Sequence, residues 1–204
     1  MSVRRFFGLS LALALSASPA VADPLTITEV AAPAINCVFD TSCKIMVTDT
    51  IGPIAIPAVH GPAALQSRSF VAAPGTPAAG MTGYLFRIDL AQARGGTPNV
   101  CIARLKFDLG PLAKLPYPGG TGPADVFVIT TGAIGTVGLA SADRAGAAVT
   151  FAFRQPVCPG PGANPGQSSY FFGFAAARPP QPATARLEFD IGDGVDVPAR
   201  APAR

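Results

Sequence analysis

The chain has no tryptophan, one histidine, three lysines and two glutamates, and each scarcity removes a class of function. Without tryptophan, the aromatic platform that most sugar-binding modules use is missing, leaving only Tyr84, Tyr117 and Tyr170 to stack a ring. The single histidine, His60, sits in Val59-His60-Gly61-Pro62, a loop context. As a general base it would need a nucleophile and an orienting acid. Ser67, Ser69, Ser168 and Ser169 are available, but no G-x-S-x-G elbow presents any of them, so a solvated loop histidine is expected. Lys44, Lys106 and Lys114 form no basic patch, which argues against nucleic acid and against an anionic membrane surface. Glycoside hydrolysis needs two carboxyl groups across a cleft, and the only glutamates are Glu29 and Glu188, with several aspartates as alternatives. Glu188 is accounted for by a solvated strand face beside Arg186.

One long apolar run exists, and it reads as an address. Arg4 and Arg5 precede an apolar stretch over 6–17, followed by the small-x-small site Ala20-Val21-Ala22. The stretch is short for a membrane span. The expected reading is a signal peptide over 1–22, cleaved after Ala22 to start the mature chain at Asp23 in the periplasm or outside the cell. Removing Arg4 and Arg5 leaves 13 basic against 12 acidic residues, so the basic balance belongs mostly to the leader.

An exported chain with four cysteines favours disulfides. Zinc is the rival, and it is disfavoured because no C-x-x-C pair and only one histidine are present. Three pairings are open. The short spacing of Cys37 and Cys43 around Asp40-Thr41-Ser42 suits a local staple across a tight hairpin, which leaves Cys101 to pair with Cys158.

Alternation with period two recurs along the mature chain, and no segment carries a convincing helical stripe. An all-β fold follows, with about ten strands in two packed antiparallel sheets of jelly-roll or Greek-key type. The clearest strands are expected at 35–39, 44–48, 83–91, 100–109, 125–131, 147–153, 169–176 and 183–191, with weaker ones at 25–30, 69–72 and 136–140. The segments 125–131 and 170–174 are apolar on both faces, as central strands covered on both sides should be. Proline- and glycine-rich stretches at 57–80, 110–124 and 156–166 read as connections. One domain over 23–196 is expected, with a frayed tail at 197–204.

One octad occurs twice. Ala103-Arg104-Leu105-Lys106-Phe107-Asp108-Leu109-Gly110 returns as Ala185-Arg186-Leu187-Glu188-Phe189-Asp190-Ile191-Gly192, each after an aromatic strand. Convergence of half-buried strands explains this, and so does a duplicated hairpin occupying equivalent places.

The run Ala148-Val149-Thr150-Phe151-Ala152-Phe153, then Pro156-Val157-Cys158, then Gly166-Gln167-Ser168-Ser169-Tyr170-Phe171-Phe172-Gly173 resembles a pattern of uncharacterised exported bacterial β-sandwich proteins. The resemblance spans about 147–177 and implies an exported sandwich. It assigns no functional residue.

The one acidic cluster is Asp190-Ile191-Gly192-Asp193-Gly194-Val195-Asp196. Asp190, Asp193 and Asp196 are the candidate ligands for calcium, which gathers oxygens on a sharply bent chain. The EF-hand spacing is absent and no glutamate closes the loop, so ordinary Asp-Gly turn chemistry is expected, with no metal or other cofactor. No catalytic residue is assigned. Together these features predict an exported, non-catalytic protein that binds an extracellular or envelope ligand or serves structurally, with no membrane span after cleavage. The alternative is a secreted hydrolase of glycoside type using carboxylates in a sandwich groove.

Overall fold

Alternating side chains and frequent turn residues produce fifteen strands and one short 3-10 helix among residues 22–95 and 100–203, which the computed structural model describes. The leader expected over 1–22 lies outside the described residues except for Ala22. In chain order the elements are β1 (Asp23–Pro24), β2 (Ile27–Ala31), the 3-10 helix η1 (Ala34–Val38), β3 (Thr48–Pro53), β4 (Val59–His60), β5 (Ala64–Val71), β6 (Thr82–Asp89) and β7 (Arg94–Gly95). They continue as β8 (Ile102–Asp108), β9 (Val126–Thr131), β10 (Leu139–Ala145), β11 (Ala148–Val157), β12 (Gly160–Pro161), β13 (Phe171–Ala176), β14 (Pro180–Phe189) and β15 (Gly194–Pro202).

Two six-stranded sheets form the sandwich. The first has the order β1-β10-β11-β8-β14-β15 and the second β2-β9-β13-β6-β5-β3, while β12, β7 and β4 make a small third sheet. Pairing within the two large sheets is antiparallel except between β2 and β9. Both lateral edges are tied. On one side the chain passes directly from β1 in the first sheet to β2 in the second. On the other, the Arg200 N–H of β15 donates to Ser67 Oγ of β5 at 3.3 Å. A Cβ on Gly52 of β3 would lie 2.1 Å from the Pro198 carbonyl oxygen, so only glycine lets β3 approach β15 this closely.

The inner faces meet over an aromatic core. Phe86, Phe107, Phe151, Phe172 and Phe174 are almost fully buried, and the Phe86 and Phe107 rings lie 4.7 Å apart, centroid to centroid, across the two sheets. Each such ring contributes about 1.5–3 kcal/mol of burial. A second core lies on the outside of the second sheet. There Ile35 and Val38 of η1 and the adjacent Phe39, with Leu115 and Tyr117 from the connection between β8 and β9, cover Phe70, Leu85, Phe127 and Phe171. The strands β9, β13 and β6 are therefore apolar on both faces, as the runs at 125–131 and 170–174 required.

The twin octads are neighbours. In β8 and β14, Leu105 pairs with its counterpart Leu187, and both bury the same Leu/Phe face. In the opposite sheet, Phe86 of Tyr84-Leu85-Phe86 pairs with Phe172 of Tyr170-Phe171-Phe172. Equivalent residues thus meet each other in both sheets, Leu105 with Leu187 and Phe86 with Phe172. The units are not hairpins, because β6 and β8 belong to different sheets, as do β13 and β14.

Five local expectations are corrected. Residues 35–39 form a 3-10 turn rather than a strand, because Ile35, Val38 and Phe39 recur at three- and four-residue spacing and all point inward. Lys44 to Val47 joins no strand, and β3 starts at Thr48. The supposed connection 57–80 contains β4 and all of β5, and the strand expected at 136–140 is shifted to Leu139–Ala145. The tail at 197–204 is not frayed: β15 runs to Pro202, pairs with β14 along its length, and buries Val197, Ala199 and Ala201. Its prolines are compatible with pairing because Arg200, of the same parity as Pro198 and Pro202, sends its N–H away from β14.

Candidate functional site

The outer faces of the two sheets differ in chemistry. On the first, polar residues at alternate positions of β8 and β14 form a lattice of opposite charges. Arg104 faces Glu188 at 3.5 Å, and Arg186 reaches Asp193 at 3.6 Å and Asp196 at 3.3 Å. A shallow cavity of about 410 Å³ lies there, lined by Lys106, Asp108, Thr184, Arg186, Glu188 and Asp196. Its carboxylates are interleaved with cations, an arrangement suited to a solvated surface and unlike an acid and base facing each other across a cleft.

That lattice also shows what occupies the proposed calcium cluster. The Arg186 guanidinium stands between Asp193 and Asp196, Asp193 Oδ1 accepts from the Gly194 N–H at 2.7 Å, and Asp190 Oδ1 accepts from the Cys101 N–H at 3.1 Å. Asp190 is exposed at the end of β14, while the other two converge on a side chain. Among the described residues no group of three metal-ligating side chains gathers.

On the second sheet, η1 covers only part of the outer face. The uncovered part carries Arg68 on β5 and Arg87 on β6, whose guanidinium carbons lie 4.5 and 5.5 Å from the ring centroid of Phe171 on β13. Each arginine has its own carboxylate. Arg68 Nε donates to Asp49 on β3 at 2.7 Å, and Arg87 donates to Asp89 two residues along its own strand. Arg87 is 7% exposed, and its Nε is buried with no hydrogen-bond partner. Burial works to raise the Asp89 pKa. The Ala91 N–H, the Ser168 hydroxyl and Arg87 outweigh it and hold the carboxyl below its ordinary value.

Three cavities surround this patch. One of about 420 Å³ is lined mainly by apolar groups, Ile45, Val47, Leu85, Ile129, Ile134 and Phe171 among them, with Arg68 and Asn36 as polar members. Across Ile134 lies another of about 630 Å³, lined by Arg87, Thr136, Gln155, Gln167 and Ser168. On the other side of Lys44 to Val47, a third of about 450 Å³ is bordered by Met46, Phe70 and Val71. Met46 is 93% exposed, and Val47, Ile51 and Ile134 are also exposed, so four of the six large exposed apolar side chains among the described residues lie on or beside this face, while Val71 shares the inward parity of Ser67 and Ser69 at the end of β5.

The remaining sequence candidates fall elsewhere. His60 is exposed on β4, paired with Arg94 of β7 in the small third sheet. Ser67 and Ser69 lie buried in β5, Ser168 Oγ donates to Asp89 at 2.8 Å, and Ser169 Oγ accepts from the Ile88 N–H at 2.9 Å, so these serines serve the framework. Glu29 is paired with Arg154 at the sandwich edge, far in the strand order from Glu188. Tyr84 and Tyr117 are buried and offer no ring to a sugar.

Both disulfides have the expected pairing. Cys101 and Cys158 join the ends of the neighbouring strands β8 and β11, with Cα atoms 4.4 Å apart. Cys37 and Cys43, 4.1 Å apart, tie η1 to the turn after it instead of crossing a hairpin. Sequence reasoning missed Arg68, Arg87 and Phe171. The available signal was Arg87 itself, a cation inside the apolar run Tyr84-Leu85-Phe86-Arg87-Ile88. No protein-family model, curated protein or solved structure matches the chain.

Proposed function

We propose that this is an exported bacterial protein that binds a ligand of the envelope or the extracellular space on the outer face of its second sheet, without catalysis. The observation that carries the reading is the contrast of the two outer faces. One is a polar face whose Arg104 and Arg186 are each paired with carboxylates. The other presents an apolar groove with the Arg68 guanidinium in its lining and the exposed Val47 and Ile134 in its walls. Contiguous exposed apolar surface is uncommon on soluble proteins and marks interaction sites. The groove suits an amphipathic ligand, with an apolar body against Ile45, Ile134 and Phe171 and an acceptor-rich head at Arg68.

Export is supported by the leader pattern and by two disulfides, which persist in oxidising compartments. Cell fractionation with N-terminal sequencing tests it: the mature protein should be found outside the cytoplasm, beginning at Asp23. The hydrolase alternative predicts turnover of glycosides that is lost in Glu188→Gln. The binding reading predicts no turnover above the enzyme-free rate, and a Glu188-dependent activity would overturn it.

A further inference from the structure

We propose that the Cys37–Cys43 disulfide is a redox-responsive latch that holds the wall of the groove on the second sheet. The latch follows from the structure alone, whereas its consequence for a ligand rests on the function proposed above. The two disulfides have opposite surroundings. Cys101 is 5% exposed and lies, with the partly buried Cys158, where two paired strands meet. Cys37 is exposed and Cys43 half-exposed, in a closed ring of short sequence separation. Thiol–disulfide exchange requires an attacking thiolate to reach a sulfur, so the bridge at η1 is the one a reductant meets first.

What that bridge holds is the wall. After Cys43, Lys44 to Val47 joins no strand until β3 begins at Thr48. Ile45 lines the cavities on both sides of this segment, with Lys44 and Met46 on one and Val47 on the other. The segment is anchored by β3 at one end and by Cys43 at the other. Cys43 itself has φ +57°, a left-handed conformation unfavourable for a side chain with a Cβ. The covalent bond holds it there, together with the Asp40 carboxylate, which accepts from the N–H and hydroxyl of Ser42. Opening the bridge frees Cys43 to leave that conformation and releases one anchor.

The reductant is a dithiol, the class to which extracytoplasmic thiol–disulfide oxidoreductases belong. Its thiolate attacks the exposed Cys37 sulfur, forming a mixed disulfide and expelling the Cys43 thiolate, which takes up a proton. Its second thiol loses a proton and displaces Cys37. The protein ends with two thiols and the reductant with one disulfide, a transfer of two electrons.

The test uses the mature chain with graded dithiothreitol, followed by alkylation, peptide mapping and amide hydrogen exchange. Cys37 and Cys43 should be alkylated at concentrations that leave Cys101 and Cys158 bridged, and amides of 41–47 should then exchange at least tenfold faster while β3, β6 and β13 keep their protection. The Cys37→Ser/Cys43→Ser double variant, which retains the long bridge, should show the same fast exchange without reductant. Simultaneous opening of both bridges, or wild-type exchange over 41–47 in the double variant, would overturn the latch. A parallel titration with 8-anilinonaphthalene-1-sulfonate separates the two readings. Faster exchange with altered dye binding supports both, and faster exchange with unchanged dye binding supports the latch while removing this wall from the binding site.

Discussion

The two outer faces of this sandwich arise from the same strand grammar but end in different chemistry. In β8 and β14, the outward positions 104, 106, 108, 184, 186 and 188 are all polar and five of them are charged, with Arg104 facing Glu188 and Lys106 facing Arg186 across the ladder. In β6 and β13, nearly every residue is buried, and the outward set is Leu85, Arg87, Phe171 and Gly173. The first face has no need of a cover. The second is roofed in part by η1 and the connection through Tyr117, and where the roof stops, apolar groups and Arg68 remain at the surface, with Arg87 buried beside them. A strand that is apolar on both faces thus announces a second layer, and an incomplete second layer announces a surface with work left to do.

The largest effects that test this comparison belong to the framework shared by both faces. Replacing Cys101 and Cys158 by alanine should lower stability by about 4 kcal/mol on the chain-entropy account, measured by urea unfolding under non-reducing conditions. The short bridge should matter less. Leu105→Ala and Leu187→Ala, at paired and equally buried positions of the twin octads, should each cost about 2–5 kcal/mol and agree closely. A large inequality would show that the two octads are not equivalent in packing.

The pH response should distinguish the faces next. Asp89 has a folded pKa below its unfolded value, so its contribution is present above about pH 4 and is lost as pH falls through the folded value. Thermal melts between pH 5 and pH 2.5 should show this loss, reduced in Asp89→Asn. At the alkaline end, burial pushes the Tyr84 hydroxyl up to about 12 and the Tyr117 hydroxyl higher still. These groups favour the folded state below about pH 10 and oppose it as pH rises above that, because the unfolded chain ionises first. Their ionisation, followed at 295 nm, should therefore coincide with unfolding.

The smallest effects belong to the charged face. Arg186→Ala removes two exposed ion pairs and should change stability by less than about 1 kcal/mol, with the difference fading in high salt. Millimolar calcium should leave the melting temperature unchanged, since a guanidinium already stands between Asp193 and Asp196. A rise of several degrees, lost in Asp193→Ala, would return calcium to the account.

Much of the sandwich was legible because alternation reports burial directly. The runs around Phe127 and Phe172 announced central strands, and the Leu105 strand announced a half-exposed one. The failures have physical causes. Ile35, Val38 and Phe39 carry a helical spacing too short to stand out, and only the second layer explains why they turn inward. Val197 to Pro202 looked like a tail because proline argues against a strand, yet an edge strand whose proline nitrogens face away from its partner accommodates them. The groove was not legible at all, since Arg68 and Phe171 are far apart in sequence and meet only through the order β13-β6-β5.

The central claim, that the second sheet's outer face is the binding surface, is tested most directly by titrating 8-anilinonaphthalene-1-sulfonate into three forms of the mature protein. These are the wild type, Ile134→Asp in the groove, and Lys106→Asp on the charged face. The account predicts saturable binding with one-to-one stoichiometry in the wild type, at least tenfold weaker binding in Ile134→Asp, and wild-type affinity in Lys106→Asp. No saturable binding, or equal loss in both variants, would contradict it.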